Sequence, residues 1–367
     1  MTSPPSTKRS GSAPLRDAAL LRLTALCEAI DHSDTTLIQA QDVFDLLSDP
    51  WGLWPTGGEP MWANDICDDG SPFEFSIAFD DGRPELRMLL EPQIMPITPT
   101  SSWEAGLRLI QRLRNHRGVD VDRFDAVRDL FAPKSNEPVR FLFWVAAVLR
   151  DPKPLFKVYL NPQVHGRERA PELLHEAMRR LGIEGAHPFI KDSTSYFALD
   201  LETTESARVK LYVPGQDDID HLRAIAPASS TRSLEQALAS ADHLMGPRRA
   251  AASRPILSCF SFRKGSKAPE LTVHVPIRCH VRSDDEALQR ISGLLDDMNA
   301  ERLRRAVAAI STRSLSQDRG LITYGSVRAK GVGTRLTVYL APQLYDTSAE
   351  TSPPSRPASG KYRRRGP

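Results

Sequence analysis

The stretch ARVKLYVPG, Ala207 to Gly215, decides the fold. In an extended strand successive side chains point to opposite faces. Val209, Leu211 and Val213 then share one face, and Arg208, Lys210 and Tyr212 share the other. One such strand alone reads as a solvated edge. The same polar face recurs along the chain, and a solvated edge does not explain the recurrence. FKVYLNP carries Lys157 and Tyr159, LTVHVP carries Thr272 and His274, and LTVYLAP carries Thr337 and Tyr339. An earlier relative, LRMLLEP, carries Arg87. Each alternates a polar or aromatic residue with an aliphatic one and stops at Pro. Successive copies lie roughly 50 to 70 residues apart, the spacing of a repeat architecture with variable insertions.

Each copy follows another strand-like run across a turn rich in Gly, Asp, Pro or Lys, as hairpins require. The partner runs are PFEFSIAF, RFLFWVAAVL, SYFALDLE, ILSCFSFRKG and LITYGSVRAKG, giving five hairpins and ten strands. Helical spacing marks the segments between them, as in Leu107, Ile110 and Leu113, or Leu173, Leu174, Met178 and Leu181. Ser233 and Ser283 occupy positions suited to N-caps. The order is αββ, repeated about five times. An α+β fold follows: a closed ten-stranded antiparallel barrel with a polar lumen and an outer ring of helices. Closure removes exposed sheet edges, and ten strands enclose more space than side chains fill.

The 367 residues are 40% hydrophobic and 26% charged, enough for a substantial core. Residues 15–347 read as one domain, with disordered tails at 1–14 and 348–367 rich in Ser, Pro, Arg and Gly. A net charge of +2 argues against a dedicated nucleic-acid binder, so any cationic site is local. Cys27, Cys67, Cys259 and Cys279 form no CxxC pair and read as reduced cytoplasmic thiols. The N-terminus has no apolar core of a signal peptide, and no apolar run approaches the ~18 residues that span a bilayer.

Parity gathers Arg87, Lys157, Tyr159, Arg208, Lys210, Tyr212, His274 and Tyr339 into the lumen. Arg335 shares a face with Tyr339, and Arg278 with His274. Cations converging on one chamber call for an anion, and Arg with Lys suits a phosphate or diphosphate. Aromatic faces beside that anion stabilise a nearby cation. This is the geometry for ionising an allylic diphosphate. Glu74, between Phe73 and Phe75, also points inward. A carboxylate there accepts a hydrogen bond from an indole N–H, or takes the proton lost on ring alkylation. Taken alone, it is an ordinary ion-pair partner. Tyr324 reads as barrel packing.

PFEFS with Glu74, ELRMLLEP with Arg87, KVYLNP, RVKLYV and LTVYLAP together resemble the dimethylallyltryptophan synthase family of aromatic prenyltransferases. The likeness runs from about Trp51 to Leu344, and the compact length resembles bacterial members. The resemblance implies the ten-stranded ABBA barrel. It also implies metal-independent transfer of a dimethylallyl or longer prenyl group from a prenyl diphosphate to an indole-type acceptor, with no cofactor. By motif position Arg87, Lys157, Arg208, Lys210 and Arg335 match the diphosphate ligands. Tyr159, Tyr212, Thr272, His274 and Tyr339 match the shield around the prenyl group. Glu74 and Lys157 match the catalytic pair, with Glu74 engaging the indole nitrogen. His274 stands where the family usually has Tyr, Thr272 replaces a longer polar residue, and Arg335 stands where a Tyr is frequent.

Two rivals belong to other classes. Basic strands interleaved with aromatics also bind single-stranded nucleic acid, if their polar faces point outward. A non-catalytic prenyl-diphosphate carrier would share the cationic chamber and lack turnover. The acidic pairs in CDDG, QDDIDH and LLDDMNAE lack the DDxxD spacing of a magnesium–diphosphate site.

Overall fold

A computed structural model describes residues 13–80, 82–116, 118–150, 152–203, 207–215, 223, 231–247, 254–266, 268–329 and 334–345. The expected tails lie outside these residues except Ala13 and Pro14, which pair with Thr56 and Pro55.

Ten strands close into one barrel: β1 (Phe73–Phe79), β2 (Glu85–Leu90), β3 (Phe143–Val148), β4 (Leu155–Leu160), β5 (Tyr196–Asp200), β6 (Val209–Pro214), β7 (Leu257–Phe262), β8 (Glu270–Val275), β9 (Ile322–Ala329) and β10 (Thr334–Leu340). Every neighbouring pair is antiparallel, and β1 pairs with β10 to close the ring. The expected five hairpins are thus present in order.

Helices fill the intervals. They are α1 (Leu15–Ala29), α2 (Asp34–Ser48), α3 (Pro99–Leu113), the short α4 (Asp122–Asp125), α5 (Ala170–Arg180), α6 (Thr231–Met245), α7 (Asp284–Ser292) and α8 (Asp297–Ile310). Ser283 caps α7, its side chain accepting from the Glu286 N–H. Ser233 does not cap: α6 begins at Thr231, so Ser233 lies within its first turn. The αββ rhythm also has more helix than one per unit, since α1 with α2, and α7 with α8, occupy single intervals.

The strand alternation sets the layering. Phe73, Phe75, Ile77, Val209, Leu211, Val273 and Val338 are buried in the core between barrel and helices. Burying one Val, Leu, Ile or Phe side chain stabilises the fold by about 1.5–3 kcal/mol. Residues of opposite parity turn into the lumen, where Ile66, Phe141, Trp144, Tyr196, Tyr212 and Cys259 form a second cluster. A one-residue slip would exchange the two faces on any strand, so the outer apolar shell fixes which residues meet inside.

Candidate active site

The second strands of the five hairpins build the site in tiers. On β2, β4, β6 and β10 the polar face presents Arg87, Lys157, Lys210 and Arg335 to one cavity, joined by Arg208 just before β6 and Arg328 from β9. Two residues beyond Lys157 and Lys210 stand Tyr159 and Tyr212, two beyond Thr272 on β8 stands His274, and four beyond Arg335 stands Tyr339. Their rings form a continuous belt, with centroids 5.8 Å apart from Tyr159 to Tyr212, 5.5 Å to His274 and 5.8 Å to Tyr339. Beyond the belt lies a second cavity lined by Glu74, Leu89, Trp144, Tyr196, Leu257, Tyr324 and Arg254, with Asp65 and Ile66. The two cavities hold about 650 and 580 Å³ of space, counting their open mouths.

Carboxylates organise the cations. Asp200 on β5 lies 2.7 Å from Arg208 and 3.8 Å from Lys157. Burial opposes ionisation of Asp200, yet Lys157, Arg208 and Lys210 outweigh it and hold the carboxyl below the usual range. Glu85 pairs with Arg87 at 3.0 Å and with Arg335. Glu270 stands 3.7 Å from Arg328. Among the described residues no carboxylate reaches salt-bridge distance of Lys210. Burial, with repulsion from Arg208 and Arg87, brings Lys210 down to about 8. Burial likewise presses Lys157 well below the usual ammonium range, with Lys210, Arg208 and Arg87 adding repulsion and Asp200 opposing. Among the described residues the buried Nε atoms of Arg87, Arg328 and Arg335 have no hydrogen-bond partner. Unmet donors and depressed lysines together make a chamber that gains by taking up an anion.

Glu74 occupies the far side of the belt. Its Oε2 accepts the Thr323 hydroxyl at 3.1 Å. A bulge places that hydroxyl: β9 pairs Tyr324 with Tyr339 and then Ile322 with Leu340, leaving Thr323 without an opposite residue. Burial pushes the Glu74 carboxyl up to about 8, against the Thr323 hydrogen bond and the Arg254 charge. Trp144 and Tyr196, 5.1 Å apart, give the cavity an aromatic wall. At its mouth Arg254 pairs with Asp68 and, at 3.5 Å, with Asp65.

The chamber thus gathers Arg87, Lys157, Tyr159, Arg208, Lys210, Tyr212, Thr272, His274, Arg335 and Tyr339, and Glu74 faces the adjoining cavity. One expectation fails. Arg278 is not on the polar face of β8 but in the following turn, where it pairs with Asp68. Tyr324 packs against Tyr339, 6.3 Å away, with its hydroxyl bonded to Arg254, and it also lines the Glu74 cavity. Asp200, Arg328, Trp144 and Arg254 escaped the sequence reading. Parity along β3, β5 and β9 points the first three inward, but these first strands lack the repeated motif. Arg254 precedes β7, where no alternation applies.

The polar faces point into a closed barrel, against the outward-facing surface that a nucleic-acid binder needs. Asp68 and Asp69 diverge: Asp68 pairs with Arg254 and Arg278, while Asp69 accepts from Ser71 and from the Leu344 N–H. Asp296 caps α8.

A family model described as tryptophan dimethylallyltransferase matches residues 45–308. The chain belongs to this family. Solved relatives agree over nearly the whole chain. The 5-dimethylallyl tryptophan synthase from Streptomyces coelicolor, in complex with DMASPP and Trp, is 28% identical with a TM-score of 0.82, over 93% of this chain and 98% of its own. The prenyltransferase PriB, in a ternary complex with L-tryptophan and dimethylallyl thiolodiphosphate, is 33% identical with a TM-score of 0.81, over 91% and 98%. The 6-dimethylallyltryptophan synthase from Micromonospora olivasterospora, in complex with DMASPP and Trp, is 30% identical with a TM-score of 0.80, over 91% and 99%. The tiered barrel is the family's fold, and the chain is a prenyltransferase, which disfavours both rivals. Among the described residues no helix is long and apolar enough to cross a membrane.

Proposed function

We propose that this chain transfers a dimethylallyl group from dimethylallyl diphosphate to the indole ring of tryptophan, with the residues of the two tiers in separate roles. The observation that carries the reading is the ring belt, which stands between a cationic chamber and a cavity holding one buried carboxyl. The relatives that hold a donor analogue with tryptophan support the same pair of substrates.

Arg87, Lys157, Arg208, Lys210 and Arg335 bind the diphosphate. Their attraction grows as the allylic C–O bond breaks and charge accumulates on the leaving group, so they favour the transition state over the ground state. Lys157 and Lys210 both gain from the anion, which restores the charge that burial disfavours. The allyl cation forms against Tyr159, Tyr212 and Tyr339, whose ring faces stabilise it and exclude water. Glu74 accepts the indole N–H and raises the electron density of the ring that attacks. Thr272 and His274 complete the wall on β8. Side-chain cations supply the charge that activates the donor, so the reaction proceeds without a divalent metal.

Incubation with dimethylallyl and geranyl diphosphates against L-tryptophan and a panel of indoles, read by mass spectrometry, tests the reading. Dimethylallyl-tryptophan with release of diphosphate is the expected product. Diphosphate binding without turnover on any acceptor would instead identify a carrier.

A further inference from the structure

With Glu74 engaging the indole N–H, as proposed, one task of aromatic alkylation remains unassigned. After the indole carbon bonds to the allyl cation, its hydrogen must leave before the ring regains aromaticity. The carbon that forms the new bond sits at the belt, because donor and acceptor meet there. Of the side chains lining both cavities, Tyr159, Tyr212, His274 and Tyr339, three are phenols. A phenol that retains its proton is a very weak base, and burial pushes Tyr159 up to about 12 and Tyr339 higher. Glu74 lines only the acceptor cavity, and Lys157 and Lys210 line only the basic one.

Resting on the reading of the preceding subsection, we propose that His274 takes this proton. The C–H bond of the alkylated ring carbon breaks and its electron pair restores the aromatic ring. The proton passes to an imidazole nitrogen of His274, which then gives it to a diphosphate oxygen in the adjoining chamber. Several observations support the assignment. The His274 ring is held between Tyr212 and Tyr339 at the boundary of the two cavities. Among the described residues neither of its nitrogens is taken by a protein hydrogen bond. Burial, then Lys210 and Arg87, press the imidazole down to about 3, so it waits neutral with a free lone pair. A base of that strength suffices for the very acidic ring proton, and the resulting imidazolium returns its proton readily. The released diphosphate lies within the same wall of cations that disfavours charge on the ring.

The test compares ordinary L-tryptophan with L-tryptophan deuterated around the indole ring, using dimethylallyl diphosphate as donor. In the wild type, proton loss is fast and deuteration leaves kcat nearly unchanged. His274→Phe keeps a flat ring and removes both nitrogens. It should lower the coupling kcat by about a hundredfold or more and reveal a primary isotope effect. His274→Ala should recover coupling when imidazole is added, and this rescue decides alone if the Phe variant fails to fold. Coupling at the wild-type rate in His274→Phe, or a loss with neither isotope effect nor imidazole rescue, would overturn the proposal. A wild type that prenylates no tryptophan would remove the parent reading and this one with it.

Discussion

At Glu74 burial sets the carboxyl near 8, so its neutral form prevails at pH 7. In the proposed role the ionised form would accept the indole N–H more strongly. Coupled product at saturating donor should therefore rise with pH through about 8. Lys210, also near 8 when the chamber is empty, moves the other way with pH. Bound diphosphate stabilises its ammonium and displaces that falling limb upward. Glu74→Gln keeps the shape but loses the titration. It should bind donor normally, couple more slowly and show no rising limb. Full coupling activity in Glu74→Gln would refute its role. Lys210→Ala removes the chamber cation least engaged with carboxylates. Loss of one such contact should lower turnover by about a hundredfold, with folding intact by circular dichroism. Tyr212→Ala opens the belt between Tyr159 and His274. Water should then reach the cation, and an assay following both products should find prenyl alcohol displacing coupled product. Unchanged partition would show that the ring does not shield.

The hairpin of β5 and β6 shows how one element prepares the chamber for its ligand. Asp200 ends β5 opposite Lys157 on β4, and it holds Arg208 across the turn. Removing one partner of a buried ion pair leaves uncompensated charge and costs about 3 kcal/mol or more. Asp200→Asn should lose stability on that scale in urea melts. Inorganic diphosphate, by binding the folded state, should raise its midpoint more than it raises the wild type's. Equal shifts would mean that Asp200 does not balance the diphosphate site. The elements also show where sequence reading reaches and where it stops. In β4, β6, β8 and β10 the alternation is strict and repeated, so both the strand and its inward residues are readable. In β1, β3 and β5 both faces are buried, and alternation gives little contrast. Trp144 and Asp200 therefore remain hidden among apolar neighbours. The β9 bulge that brings Thr323 to Glu74 depends on a pairing that no local pattern records.

Across the whole molecule, antiparallel closure places residues from distant hairpins at the same height. Arg87, Lys157, Lys210 and Arg335 come from four separate strands and converge only because the ring closes between β1 and β10. The repeated motif makes that convergence readable in the sequence. The ionic partners at the Glu74 mouth, Asp65, Asp68 and Arg254, come from connecting segments whose positions only the folded barrel defines. The central claim is that the side-chain cations of this chamber activate the donor unaided. The direct measurement is turnover of dimethylallyl diphosphate with L-tryptophan by protein stripped of metal and assayed in excess EDTA. The account predicts prenylated tryptophan at a rate close to that of the untreated enzyme, with at most modest stimulation by magnesium. Abolition of turnover by EDTA, with full recovery on adding magnesium, would contradict it.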